Sequence, residues 1–191
     1  MNLSAFKHLI FDYDNTIAKV PIDWKVARAN FRKFLTEKFQ GIELEKDIRV
    51  DEMESIALSM YPNQKDEIFS FRHFLEKSLD GRHEPINEVI SFLRKCEQKP
   101  FHIISNNLKS TVCSGLGQFK IRQLFDVIIG VDEAGFPKPS TIAWDIMLKF
   151  RKINHKSCLF IGDSNATDEK FAQSVGIPFI NVTNLKMFKN E

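Results

Sequence analysis

Leu9-Ile10-Phe11-Asp12-Tyr13-Asp14-Asn15-Thr16 is the stretch from which the rest of the chain is best read. A short apolar run that stops at a turn signal predicts a buried β-strand, and two carboxylates follow it at alternate positions. On extended chain Asp12 and Asp14 point the same way and Tyr13 points opposite, so one carboxylate can attack while the other handles protons. Asn15 occupies a place in the turn where tolerance of left-handed backbone is useful.

Downstream of this strand the pattern is helical from about Pro21 to Gly81. Asp23 caps a first helix whose apolar side is Ala27, Phe31, Phe34, Leu35 and Phe39, with Gly41 as its stop. Met53, Ile56, Ala57 and Met60 mark a second helix that ends before Pro62. Ile68, Phe71, Leu75 and Leu79 mark a third that ends at Asp80-Gly81. Beyond Gly81 helix and strand alternate. Pro85 is expected as the first residue of a helix that buries Val89, Ile90 and Leu93. Strands follow at 101–104, 126–131, 158–161 and 177–182, with helices at about 109–119, 142–150 and 168–175 between them. Short, fully apolar strands separated by helices predict a parallel sheet covered on both faces. The expected division is a core of 1–17 with 84–191, and a helical insertion of 18–83.

Four polar clusters fall just past strand ends: Asp12-x-Asp14-x-Thr16, Ser105-Asn106-Asn107, Lys138, and Gly162-Asp163 with Asp168. In an open parallel sheet that edge is where ligands bind. Asp12, Asp14 and Asp163 together carry enough negative charge to require a cation, and hard oxygen ligands suit Mg²⁺. Lys138 and the Ser105 hydroxyl complement them as donors to an anion, phosphate above all. Taken alone, the Asp12 motif reads equally well as a capping turn, Ser105-Asn106-Asn107 reads as a loop, Lys138-Pro139 as a solvated turn and Gly162-Asp163 with Asp168 as a helix cap; their order and placement give them weight together.

Composition excludes several other roles. The chain has 191 residues, 27 Lys and Arg against 25 Asp and Glu, and a formal net charge of +2. Such a balance gives no support to a nucleic-acid or membrane-surface binder. Phe numbers 18 while Tyr and Trp number two each, which is core material rather than a platform for stacking bases. No apolar run reaches membrane-spanning length, and Cys96, Cys113 and Cys158 form no pair or C-x-x-C, so reduced thiols and a cytoplasmic location are expected.

Asp12-Tyr13-Asp14-Asn15-Thr16, Ser105, Lys138-Pro139 and Gly162-Asp163-x4-Asp168 together resemble the haloacid dehalogenase superfamily, in its phosphoglycolate phosphatase-like branch with a helical cap inserted after the first motif. The chain departs from the usual pattern at Asn15, where Gly is common, and at Ser140. The resemblance implies an α/β fold: a Rossmann-like parallel sheet with helices on both faces, plus a small all-helical cap. It implies an Mg²⁺-dependent phosphatase for a small phosphorylated metabolite, with Asp12 as nucleophile and Asp14 as general acid and base. Ser105, the Asn106 backbone and Lys138 would hold phosphoryl oxygens. Asp12, the Asp14 carbonyl and Asp163 would hold the metal, with Asp168 on the ion or on its water. A phosphomutase of the same fold and a non-catalytic phosphoester binder stay open as alternatives, as do monomer and homodimer. In the cap, Lys25, Arg28 and Arg32 share one helical stripe, which reads as a solvated cationic face or, for Arg28 and Arg32, as contacts to an anionic substrate. Arg72, His73 and Trp24 are further candidates.

Overall fold

The computed structural model describes residues 3–77, 82–96 and 100–185. Its strands are β1 (His8–Phe11), β2 (Ala18–Lys19), β3 (Glu84–Pro85), β4 (Phe101–Ile104), β5 (Phe125–Ile129), β6 (Cys158–Gly162) and β7 (Phe179–Asn181). Five of them form a parallel sheet in the order β5-β4-β1-β6-β7. β1 lies at its centre, with Leu9 level with Phe101 on one side and Leu159 on the other. Alternate residues of β1 enter different cores. Leu9 and Phe11 pack with Val89 and Leu93 of α4 (Asn87–Lys95) and with Val112 and Leu116 of α5 (Lys109–Gln118). Ile10 packs with Phe160, with Trp144 and Met147 of α7 (Ile142–Phe150), and with Phe171 of α8 (Lys170–Ser174). A strand buried on both faces must be apolar throughout, which is why Leu9-Ile10-Phe11 reads as a run rather than an alternation.

Between β2 and β3 stand three further helices, α1 (Trp24–Lys38), α2 (Val50–Met60) and α3 (Lys65–Lys77). Asp23 caps α1 as its sequence suggests, its Oδ1 accepting from the Lys25 and Val26 amides at 3.0 Å. Phe31, Leu35, Met53, Ala57, Ile68 and Phe69 form a separate core for this helical cap. That core also takes in Leu108 and Val131 from the sheet domain, so the two layers share apolar surface. The buried stripe of α3 ends not in leucines but in Arg72 and Glu76.

Several boundaries differ from those the sequence suggests. Pro85 is not helical: it pairs with Ala18 in the two-rung antiparallel ladder of β2 and β3, and α4 begins at Asn87. Proline serves there because a rung two residues long is all edge. α1 stops at Lys38 with Phe39 as its cap, before the left-handed Gly41 (φ 78°). The strand expected over 126–131 spans Phe125–Ile129, because Gly130 starts the short helix α6 (Val131–Ala134). A π-helical turn over Asn165–Glu169 precedes α8, and β7 is shorter than 177–182. The expected end of the third helix at Leu79 and Asp80-Gly81 lies outside the described residues. Among the described residues no helix is long and apolar enough to cross a membrane.

Candidate active site

The turn after β1 is built around the Tyr13 carbonyl, which accepts from the amides of Thr16, Ile17 and Ala18. Closing so tightly requires left-handed backbone at Asn15, whose φ is 56°. Tyr13 itself is buried away from the cleft, its hydroxyl 2.9 Å from His83 Nδ1 just before β3. Asp12 and Asp14 face the opposite way, into one cavity of about 240 Å³. Thr16 contributes to the turn through its amide, whereas its buried hydroxyl has no hydrogen-bond partner among the described residues.

Asp14 is held at both oxygens. Oδ1 accepts from the Val20 amide at 2.8 Å and Oδ2 from the Trp24 indole at 3.3 Å. Burial nevertheless pushes its carboxyl up to about 6, with these donors working against the shift and Asp163 adding to it. A carboxyl in that range can give and take a proton near neutral pH.

Lys138 reaches the same cavity from the loop after α6. Its backbone is gripped by the Asn106 side chain: the Lys138 amide donates to Asn106 Oδ1 at 2.7 Å, and Asn106 Nδ2 donates to the Lys138 carbonyl at 3.4 Å. The family resemblance implies a role for the Asn106 backbone; the Asn106 side chain has the different task of placing Lys138. The ammonium lies 2.7 Å from both Asp12 Oδ1 and Asp168 Oδ1, over the face of Phe160. Burial opposes its charge, but Asp12 and Asp168 more than offset this and hold its pKa above the ordinary lysine range. Burial likewise lifts the Asp12 carboxyl well above the usual carboxylate range, against the pull of Lys138. Asp163 rises to about 6 through burial and its neighbour Asp168.

Two carboxylates therefore share one ammonium, with a third, Asp163, beside them. The oxygens of Asp12, Asp163 and Asp168 lie within 4.8 Å of one another. That is close to the ~4.2 Å between opposite ligands of an octahedral Mg²⁺ ion, whose preference is for oxygen donors. The donor set and the surplus negative charge both fit a hard divalent cation. Asp168 can fold back into this group only because Gly162 has no side chain: a Cβ there would fall 2.3 Å from Asp168 Oδ2. The Ser164 amide donates to that same oxygen at 3.1 Å.

Ser105, Asn106 and Asn107 line the cavity from the end of β4, and Trp24, Arg28, Arg49 and Arg72 from the cap. Of the two cap arginines singled out by sequence, Arg28 lines the cavity, its Nε buried without a hydrogen-bond partner among the described residues. Arg32 is a correction: its guanidinium is spent on the carbonyls of Leu44, Glu45 and Lys46, which close the loop between α1 and α2. His73 bonds to the Phe69 carbonyl of its own helix. Arg49 is a cavity residue outside the clusters and the cap stripe marked in the sequence, and Asn107 is a cavity residue within a marked cluster but with no role of its own assigned. Asn107 adjoins a recognised strand end, while nothing near Arg49 in sequence marks it.

A carboxylate pair at the end of the central parallel strand, a buried lysine and an acidic cluster from two other strand ends thus meet in one cavity of an α/β sheet. The family model described as haloacid dehalogenase-like hydrolase matches residues 9–182, and the chain belongs to that family. No curated protein matches it. Among solved structures, a haloacid dehalogenase-like hydrolase from Bacteroides fragilis is 23% identical with a TM-score of 0.64, covering 91% of this chain and 86% of that one. A protein described as a phosphoglycolate phosphatase from Lactobacillus plantarum is 18% identical with a TM-score of 0.65, covering 97% and 89%. The magnesium-bound HAD-hydrolase YfnB of Bacillus subtilis is 20% identical with a TM-score of 0.56, covering 91% and 87%. At these identities the likeness is one of fold.

Proposed function

We propose that this hydrolase is an Mg²⁺-dependent phosphatase that acts on a small phosphorylated metabolite through an aspartyl-phosphate on Asp12. The observation that carries the reading is the pairing of two differently tuned carboxylates on one cavity. Asp12 is held against Lys138 at 2.7 Å, and Asp14 keeps its carboxyl near 6. An Asp12 oxygen attacks phosphorus as the bond to the leaving oxygen breaks, and Asp14 gives its proton to that oxygen. Water then attacks the acyl phosphate, Asp14 takes its proton, and inorganic phosphate leaves with the Asp12 carboxylate restored. Ser105, the Asn106 amide and Lys138 would receive the phosphoryl oxygens. Asp12, Asp163 and the Asp14 carbonyl would hold Mg²⁺, with Asp168 beside them. When bound, the ion offsets repulsion between Asp12 and the incoming anion and steadies charge on the transferring group.

The cavity volume supports a small substrate, and Arg28 is one of the cap cations on the cavity available to an anionic group. The free cysteines Cys96, Cys113 and Cys158 agree with a reducing, cytoplasmic setting. The test is phosphate release across a panel of phosphorylated metabolites with and without Mg²⁺. Metal-dependent release is expected. Rearranged phosphoester without free phosphate would favour an isomerase, and tight binding without turnover a regulatory protein. On a responsive anionic substrate, Arg28→Ala should raise KM about tenfold with kcat little changed, the signature of lost uniform binding. Unchanged kinetics would return Arg28 to the cap surface.

A further inference from the structure

The buried charge at the end of α3 has no part in the chemistry above, yet it touches the loop that follows β4. Arg72 is almost wholly buried. It donates from Nε and Nη2 to the two oxygens of Glu54 at 2.7 and 2.6 Å, and from Nη2 to Asp51 at 2.9 Å. Its Nη1 lies 3.4 Å from Glu76 Oε1. Glu76, also buried, extends across to the sheet domain: Oε2 accepts from the Leu108 amide at 2.9 Å, and Oε1 from Asn107 Nδ2 at 3.4 Å. Leu108 precedes the first turn of α5, so a cap carboxylate takes up an amide at the start of a core helix.

The contact with Asn107 matters most. An amide side chain has a donor end and an acceptor end. With Nδ2 directed at Glu76, Oδ1 is turned to accept from the Ser105 hydroxyl, at 3.3 Å. The Asn107 amide donates to Ser105 Oγ at 3.2 Å, so Asn107 meets both the donor and the acceptor side of that hydroxyl and fixes where Oγ stands in the cavity. We infer that Glu76 is a positioning residue: its carboxylate orients the Asn107 side chain and the Leu108 amide and thereby fixes where the Ser105 hydroxyl stands for the phosphoryl group. This rests on the phosphatase reading of the site. It makes the seated cap part of the phosphate-holding apparatus, because removing α3 from the core removes the acceptor that orients Asn107.

The experiment compares wild type, Glu76→Gln, Glu54→Gln and Asn107→Ala in steady-state hydrolysis of p-nitrophenyl phosphate, with inorganic phosphate as product inhibitor. Glu76→Gln and Asn107→Ala should each raise KM and the phosphate inhibition constant by roughly 10-fold or more, since small misplacements of oriented groups have large effects. The double variant should be little worse than either single one. Glu54→Gln alters a partner of the same arginine without touching residues 105–108 and should keep both constants within about twofold. Equal effects of Glu54→Gln and Glu76→Gln would reduce Glu76 to a structural role and overturn the inference. If Glu76→Gln does not fold, Asn107→Ala decides alone, and a folded Asn107→Ala with wild-type constants overturns it. A wild-type protein that hydrolyses no phosphate monoester would instead overturn the phosphatase reading and this inference with it.

Discussion

Asp12→Asn should give a folded protein that releases no phosphate, with activity reduced by at least about 10³-fold, the scale expected when the attacking group itself is removed. An amide has nearly the shape of a carboxylate but no nucleophilic oxygen anion. Its effect on stability should run the other way. Burial lifts the Asp12 carboxyl above its ordinary range, so holding it ionised in the folded protein costs free energy. Neutral Asn removes that cost, and Lys138 keeps its second partner Asp168 at 2.7 Å. The melting temperature should therefore stay level or rise while turnover disappears, the trade expected where a site is charged for function rather than for folding. Phosphate release with and without Mg²⁺, beside a thermal melt, measures both. Residual turnover above about 1% would mean that the nucleophile is a different group.

Lys138→Met should do the opposite to stability and the same to activity. The ammonium is the cation between Asp12 and Asp168, and both contacts are buried. Removing one member of a buried charged group leaves the others uncompensated, at a cost of about 3–5 kcal/mol. For a chain of this size that corresponds to a fall of roughly 6–20 °C in melting temperature. The loss should depend on pH with a definite sign. Asp12 already titrates above its ordinary range and rises further without Lys138, so the folded state takes up protons that the unfolded state does not. The defect should be largest at neutral to alkaline pH and should ease as pH falls through the raised value toward the ordinary carboxylate range near 4. Mg²⁺ should restore more stability to this variant than to wild type, because it binds the folded carboxylates alone. Melts at several pH values with and without Mg²⁺ measure this. A melting temperature independent of both would show that the lysine does not balance these carboxylates.

Much of the architecture is legible in sequence because its signals are local. Leu9-Ile10-Phe11, 101–104 and 158–161 are apolar throughout since both faces of their strands are covered, and each stops at a polar cluster that lines the cavity. Asp23 announces α1 for a reason contained within four residues. What escaped depends on contacts between distant segments. Arg32 lies on the same stripe as Arg28, and only the path of the 44–46 loop turns its guanidinium away from the cavity. β2 and β3 are two residues each and exist because they meet each other, so neither carries a pattern of its own. Asn106 was identified by its position, but its side-chain grip on Lys138 joins residues 32 apart in sequence. Glu76 reads as the charged end of an amphipathic helix until Leu108 and Asn107 are brought to it.

The small ladder between Ala18–Lys19 and Glu84–Pro85 has a consequence for how such a chain can be altered. An excursion that departs and returns on neighbouring rungs has its ends only about one strand spacing apart, roughly 5 Å. To the sheet, the whole helical excursion is a hairpin turn, and the entropy of closing a turn grows only slowly with its length. Chain closure therefore sets almost no limit on the length of what fills the gap, and the demands on it come from the surface it must cover at Leu108 and Val131. A different cap, or a much shorter loop, could be spliced onto the same two rungs while β1 keeps its place at the centre of the sheet.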